Sequence, residues 1–314
     1  MDEILGQILQ VGFFAAMIRI ATPLLFATIG ELFAERAGVL NLGIEGIMLL
    51  SAMTGFTAAY FTGSLWLGVC AAVLTGVVAG ALMGLLTVTF GLSQHVSGLG
   101  LTLLASGLAF FFFRVIFGQP ETPPNIAPFH PVPIPLVSEI PFLGPVLFRQ
   151  YALVYIALLL VPVTAFILYR TPWGLHLRTV GESPHAADSA GVSVAKVRYQ
   201  ALMLSGALMS VGGAFLSMAQ FNAFTFGVIS GRGWVCIALV VFGQWSPWRS
   251  AVAAFLFAFI DALQLRLQAS AVIDVPYQVF LMMPFVLTIV AMAVLSRNAR
   301  APAALLVPFR KEER

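Results

Sequence analysis

A carboxylate and an amide lie four residues apart in an apolar stretch near the start of the chain. Residues 35–50 read "ERAGVLNLGIEGIMLL" and include Asn41 and Glu45 together with Gly43 and Gly46. Residues four apart share one face of a helix, and ionisable groups inside membrane spans usually face a cavity or a partner. The pattern favours an irregular helix that lines a path for a polar solute. The alternative is a structural carboxylate that caps a neighbouring helix.

The composition requires a lipid environment around these residues. Of the 314 residues, 60% are hydrophobic and 9% are charged, and the mean hydropathy is +0.97. A soluble domain is about a quarter charged, so we predict an all-α polytopic membrane protein. The formal net charge of +3 is too small to suggest a nucleic-acid partner. Cys70 and Cys236 lie in apolar runs and predict neither a disulfide nor a metal site.

Apolar runs of sufficient length predict about nine transmembrane helices within one domain, residues 1–314. A spanning helix needs about 20 predominantly apolar residues. The candidate spans are 11–33, 38–61, 65–90, 93–118, 151–170, 197–219, 228–245, 249–268 and 276–296. Residues 119–150 are rich in proline, which excludes regular helix and predicts an extramembrane loop.

The positions of Lys and Arg predict the orientation of the chain in the membrane. With the N-terminus outside and the C-terminus in the cytoplasm, eleven of the sixteen basic residues fall on the cytoplasmic side, and only Arg149 lies in an outer loop. Basic residues concentrate in cytoplasmic loops. We therefore expect 119–150 to be extracytoplasmic, 171–196 to be a cytoplasmic segment and 297–314 to be a cytoplasmic tail.

Small residues predict where two spans pack together. Gly76, Gly80 and Gly84 repeat every four residues, so they align on one face of the third span. In lipid, such a face lets two helix backbones approach closely and promotes their association. We assign these three glycines to helix packing.

A second glycine-punctuated stretch has the same character as the first. Residues 226–248 read "FGVISGRGWVCIALVVFGQWSPW", and a polar residue again precedes an apolar run. Both stretches are followed by two further spans, which suggests two pseudo-repeated halves, 11–118 and 197–296, joined by 151–170. We assign six residues to the translocation path: Asn41, Gly43, Glu45, Gly46, Arg232 and Trp234.

The longest polar loop contains the signals for a short helix. Ser183 followed by Pro184 is typical of a helix start, and Gly191 suits a helix end. The sequence "PHAADSA" between them is only about two turns long. An ordinary linker has no need of both signals, so a docking element is favoured.

Three motifs in order resemble the permease subunits of bacterial ATP-binding-cassette importers. They are "ERAGVLNLGIEGIMLLSAM", "TVGESPHAADSAGVSVAKVRYQALMLSGALMSVGGAFLS" and "GRGWVCIALVVFGQWSPW". The resemblance covers most of residues 30–296 and is nearest to the nucleoside branch, which is related to the ribose and branched-chain amino acid permeases. It implies a coupling element that contacts the ATPase, formed by Gly181, Glu182, Pro184, Ala186, Ala187 and Gly191.

The resemblance also implies the partners of the chain. They are an ATP-binding-cassette ATPase, a second permease subunit in a heterodimer, an extracytoplasmic solute-binding protein and the lipid of a bacterial inner membrane. The chain lacks the phosphate-binding motif G-x-x-x-x-G-K-[ST]. We therefore expect no enzymatic activity and no cofactor of its own, with ATP bound by the partner.

The expected function is ATP-driven import of a nucleoside or a related solute by alternating access. A sugar or amino acid importer of the same superfamily is the nearer alternative. A proton-coupled secondary transporter, in which Glu45 carries the proton, belongs to a different class, as does a channel-like or structural scaffold. Neither of these last two classes needs the short helix in the polar loop.

Overall fold

The computed structural model describes residues 11–120, 122, 124–135, 137–270, 278–279, 282–283, 285–286, 289–290 and 300–309. Ten α-helices have defined bounds: α1 Val11–Arg36, α2 Ile44–Thr62, α3 Leu65–Gly84, α4 Gln94–Phe117, α5 Ala152–Arg170, α6 Pro172–Glu182, α7 Pro184–Ser189, α8 Val194–Phe215, α9 Arg232–Phe242 and α10 Pro247–Ser270. Single π-helical turns lie at Leu85–Thr89, Gly144–Phe148 and Leu216–Gln220, and the short strands β1 (Val132–Pro133) and β2 (Arg149–Gln150) pair antiparallel.

Seven of these helices are long and apolar enough to cross a membrane: α1, α2, α3, α4, α5, α8 and α10. The polytopic all-α fold is therefore confirmed. The predicted span 228–245 is wrong as a single spanning helix, because α9 has only 11 residues and rises about 16 Å, half of a hydrocarbon core of about 30 Å. The predicted span 276–296 lies largely outside the described residues.

The helix bundle has two ends, which we name the loop end and the α7 end. The loop end holds Val11 and the proline-rich loop, since Val11, Pro131 and Arg149 line one cavity. The α7 end holds residues 171–196 and the segment 301–309. Val11 and the proline-rich loop thus lie at one end of the bundle, opposite 171–196.

Helix α8 forms the centre of the bundle and is the most enclosed of the seven spans, whereas α4 is the most exposed. The three glycines assigned to helix packing lie on α3 where it meets α8. A Cβ atom at Gly76 would collide with the carbonyl of Gly206, and one at Gly80 with the carbonyl of Leu202. Gly84 instead faces the Tyr199 ring. Side chains larger than hydrogen at the first two positions would force the backbones apart.

Candidate translocation site

Residues 37–43 form a non-helical break between α1 and α2. At Asn41 the chain lies alongside α1, because the backbone N–H of Asn41 donates to Glu31 Oε1 at 2.9 Å. Its own side chain Oδ1 accepts the N–H of Gly43 at 3.0 Å, so Asn41 closes a local turn. The expectation that Asn41 and Glu45 share one helix face is therefore wrong, since α2 begins only after this turn.

Polar side chains of α4 satisfy the backbone of the break. Gln94 accepts the N–H of Leu40 at 2.8 Å and donates to the carbonyl of Gly38 at 3.2 Å. Thr102 donates to the carbonyl of Leu42 at 2.9 Å. Irregular backbone at membrane depth is tolerated only where protein or a water-filled cavity supplies partners. These two α4 residues supply them here.

A buried cation of α8 holds the other side of the break. Arg198 is 1% exposed, and its Nε donates to the carbonyl of Ala37 at 3.2 Å. Its Nη atoms also lie 3.4 Å from the carbonyl of Val307. The guanidinium therefore joins α8, the break and the described part of the tail, and its planar fork of donors suits several acceptors at once.

Glu45 caps the start of α9. Its Oε1 accepts the N–H of Gly231 and its Oε2 the N–H of Gly233, both at 2.8 Å. The first N–H groups of a helix have no partner within the helix, and a carboxylate there also interacts favourably with the helix dipole. Gly231 has φ +81°, a conformation that favours glycine. The capping alternative raised by the sequence describes this geometry.

The remaining residues assigned to the path are mostly enclosed. Gly43 and Gly46 are buried against α4, where a Cβ on Gly46 would lie 2.5 Å from the Cα of Thr102. Arg232 Nη2 lies 3.6 Å from Asp261 Oδ2 of α10 and forms an ion pair. Trp234, in contrast, is 37% exposed. Of the six side chains, only Trp234 is more than about a third exposed.

The far end of α9 is held by the residues that end α1. Trp245 follows α9, and its indole N–H donates to Glu35 Oε2 at 2.5 Å. Arg36 donates to the Trp245 carbonyl from Nε at 2.9 Å and from Nη2 at 2.7 Å. Glu45 therefore lies at the N-terminus of α9, where the helix dipole favours a carboxylate. Glu35 and Arg36 both hold Trp245, which follows the C-terminus of the helix. The opening stretch thus fixes both ends of this short helix.

Sequence reasoning missed several residues that build this site. They are Glu31, Glu35, Gln94, Thr102, Arg198, Trp245 and Asp261. Two of them carried a visible signal, because Glu31 and Glu35 lie four apart in the apolar helix α1. Both are buried, and such a pair requires polar partners. Nothing in the local sequence identifies the partners of Gln94 or Arg198, which lie far away along the chain.

The residues assigned to ATPase coupling lie at the α7 end. Gly181 packs against the carbonyl of Arg36, Pro184 is buried, and Gly191 has φ +84° after α7. Glu182 is exposed, and its Oε2 accepts the N–H of Ala303 at 3.3 Å. Helix α7 starts at Pro184 with Ser183 at the N-cap position, as predicted, but the Ser183 side chain makes no capping hydrogen bond.

The two alanines of α7 face opposite directions. Ala186 is exposed, whereas Ala187 is 4% exposed and packs into the core of the chain. The expectation that both alanines offer a surface to a partner is therefore wrong for Ala187. The reason is the helical spacing, which places Ala187 on the same face as the buried Pro184. Only Ala186 remains available to another protein.

Comparisons with known proteins agree on one family. Residues 13–292 match the family described as the branched-chain amino acid transport system permease component. The putative glucose ABC transporter permease protein TsgC13 of Haloferax volcanii is 43% identical over 82% of this chain and 78% of its own. The guanosine ABC transporter permease protein NupQ of Bacillus subtilis is 35% identical over 94% of this chain and 95% of its own.

A third relative extends the same pattern. The nucleoside ABC transporter permease protein NupC of Lactococcus lactis is 34% identical over 92% of this chain and 94% of its own. No solved structure matches the chain. With a family match that covers most of its length, the chain belongs to the branched-chain amino acid transport system permease family and is a multi-pass transport subunit rather than an enzyme.

Proposed function

We propose that the chain forms part of the path through which an ATP-driven importer moves nucleosides or related solutes. One observation supports this proposed path. The break at 37–43 and the start of α9 are two interrupted segments, and Glu45, just after the break, hydrogen-bonds to the start of α9. Discontinuous helices that meet inside a bundle are the device with which many transporters build their binding sites. The exposed Trp234 is the third residue of α9, directly after Gly233, and borders the same meeting point.

Relatives support the substrate class. The two described as guanosine and nucleoside permeases each align with more than 90% of this chain. A sugar is the second candidate, because the relative described as a putative glucose permease has the higher identity, 43%. Nucleosides are favoured by the more complete alignments of the guanosine and nucleoside relatives.

Uptake measurements test the function directly. Proteoliposomes that contain the chain with its ATPase, second permease and binding protein are expected to accumulate labelled guanosine only when ATP is present inside. An excess of unlabelled glucose is expected not to compete. Accumulation of glucose but not guanosine would favour the sugar candidate, and guanosine uptake driven by a pH gradient without ATP would favour a secondary transporter.

The exposed face of α7 is the proposed contact with the ATPase. Ala186→Trp places a large ring on this face and is expected to reduce ATP-driven uptake at least about tenfold, because a buried interface tolerates added volume poorly. The ATPase should also be lost when the permease is purified. Ala127→Trp, an exposed alanine at the loop end, is the control and should retain the ATPase. Normal co-purification and uptake by the Ala186 variant would exclude this contact.

We propose that the loop end faces outside and the α7 end faces the cytoplasm, as the basic residues indicate. Asn125 and Ser189 are exposed at opposite ends. In cells, Asn125→Cys is expected to react with an impermeant thiol reagent, and Ser189→Cys to react only after the membrane is opened. Cys70 is replaced by serine in both variants, since it is exposed. The reverse labelling pattern would invert the orientation.

The proposed assembly contains a second permease subunit of different sequence. The large apolar side chains on α4 leave a surface on which lipid or a second subunit can pack, since Leu103 is 75% exposed, Val115 65% and Phe111 61%. Extended apolar surface of this kind faces lipid or a partner protein. Mass measurement of the purified importer is expected to find two different permease chains, and two identical chains would overturn the heterodimer.

A further inference from the structure

A cavity of about 370 Å³ opens between the end of α4 and the segment that leads into α9. Its walls include Phe113 of α4 and the consecutive residues Phe224, Thr225 and Phe226. The volume is within the range of about 300–1,000 Å³ that is usual for small-molecule sites. None of the six residues assigned to the path from the sequence lines it.

Aromatic rings form one side of this cavity in fixed mutual geometry. The Phe113 and Phe224 rings are 5.0 Å apart at 43°, and Phe226 stands nearly perpendicular to Phe113 at 5.6 Å. Phe224 and Phe113 are buried, whereas Phe226 is 54% exposed. Phe226 also meets the Phe110 ring edge to face at 4.7 Å. Two rings are therefore set in the core, and the third offers an open face at the rim.

Polar groups also line the cavity. Arg114 and Gln119 line the cavity together with Thr225. With the Gln119 amide in the orientation that satisfies both side chains, its oxygen accepts from Arg114 Nε at 3.1 Å. The Gln119 oxygen also contacts Arg114 Nη2, but the guanidinium has five N–H donors, so others are left for a ligand. The cavity thus combines flat apolar walls with convergent hydrogen-bonding groups, as small-molecule sites do.

The two segments that line the cavity, α4 and residues 224–226, also lead to the region of Glu45. Phe113 belongs to α4, whose Gln94 and Thr102 hold the break. The segment with Phe224 and Phe226 ends at Gly231, whose N–H donates to Glu45. A solute in the cavity therefore contacts α4, which holds the break, and the segment that leads into α9.

We propose that this aromatic cavity binds the base of a nucleoside before it enters the path, an inference that rests on the proposed function. Every base has a π-face that stacks on an aromatic side chain, and its edge carries hydrogen-bonding groups. Phe226 offers a ring face for stacking, and Arg114 and Gln119 offer partners for the edge. The base, rather than the ribose, matches both the aromatic rings and the polar groups of the cavity.

Protection of a cysteine at Thr225 tests binding without transport. The complete importer is purified without ATP, with Thr225→Cys in the Cys70→Ser background. Guanosine and uridine are expected to slow labelling by a thiol reagent severalfold, whereas ribose and glucose at the same concentration leave it unchanged. Equal labelling with and without nucleosides would overturn the site, and protection by glucose or ribose would assign it to sugars.

Uptake kinetics provide the second measurement. Phe226→Ala removes the open ring and is expected to raise KM for guanosine about tenfold, the effect of losing one base-stacking contact. Phe226→Trp keeps a stacking face and should restore KM to within about threefold of the original. Phe166→Ala is the control, because Phe166 is a similarly exposed ring on α5 that does not line the cavity.

These results separate the site from the function. Guanosine uptake by the original importer with an unchanged KM in Phe226→Ala would overturn the cavity and leave the proposed function intact. Failure of the original importer to take up any nucleoside would overturn both. A loss of uptake shared by Phe226→Ala and Phe166→Ala would also overturn the site, since it would show a general effect of removing exposed rings.

Discussion

Glu45→Ala is expected to destabilise the permease by at least about 2 kcal/mol. The carboxylate accepts two backbone N–H groups at the start of α9, from Gly231 and Gly233. Each buried polar group that loses its partner costs about 1–3 kcal/mol. Loss of the negative charge also removes a favourable interaction with the dipole of α9. The start of this short helix should therefore loosen, and uptake should fall as a consequence.

Thermal unfolding of the purified chain in detergent measures the effect. Glu45→Gln is expected to lie between the original and the alanine variant, because the amide keeps one acceptor oxygen but has no charge. Glu139→Ala is the control for removing an exposed glutamate and should leave the unfolding temperature unchanged. If Glu45→Ala retained full stability and lost only uptake, the carboxylate would act on the solute rather than as a cap.

Gly76→Leu is expected to prevent correct packing of α3 against α8 and to eliminate most of the folded protein. A Cβ at this position would overlap the carbonyl of Gly206, which is backbone and cannot rotate away. Overpacking of a filled interior typically costs about 1–3 kcal/mol and sometimes more. Separating two helix backbones belongs to the larger cases, since it removes contacts along the whole interface.

Size-exclusion profiles of the detergent-solubilised variants measure the folded fraction. Gly107→Leu on α4 is the matched control, because no atom lies within 4 Å of its Cβ position, and it should leave the profile unchanged. Gly84→Ala is expected to have a smaller effect than Gly76→Ala, since it meets the Tyr199 ring instead of backbone. A normal profile for Gly76→Leu would mean that the two helices are not held at this distance.

The spacing of small and apolar residues predicted the long helices and the glycine contact surface because both depend on local periodicity. Hydropathy overestimated the length of α9, because the predicted span 228–245 includes apolar residues that lie outside the helix Arg232–Phe242. Those ends are fixed by Glu45 and Glu35, which are 186 and 210 positions away from their partners. No local pattern encodes such pairings.

The orientation of α7 could have been predicted more sharply. Pro184 and Ala187 are three apart and therefore share a face, and that face is buried. Ala186 lies on the other side. The break at 37–43 is a harder case, because Asn41 and Glu45 are spaced for one helix face. Only the turn closed by the Asn41 side chain separates them.

Gly181 of α6 packs directly against the carbonyl of Arg36 at the end of α1, next to the break at 37–43. With no side chain on Gly181 between the two backbones, there is no rotamer that can change to absorb a displacement. The backbone N–H of Ala304 also donates to the carbonyl of Gly181 at 2.9 Å. We therefore expect a displacement of α7 to move α6 and, through Gly181, the end of α1 beside residues 37–43.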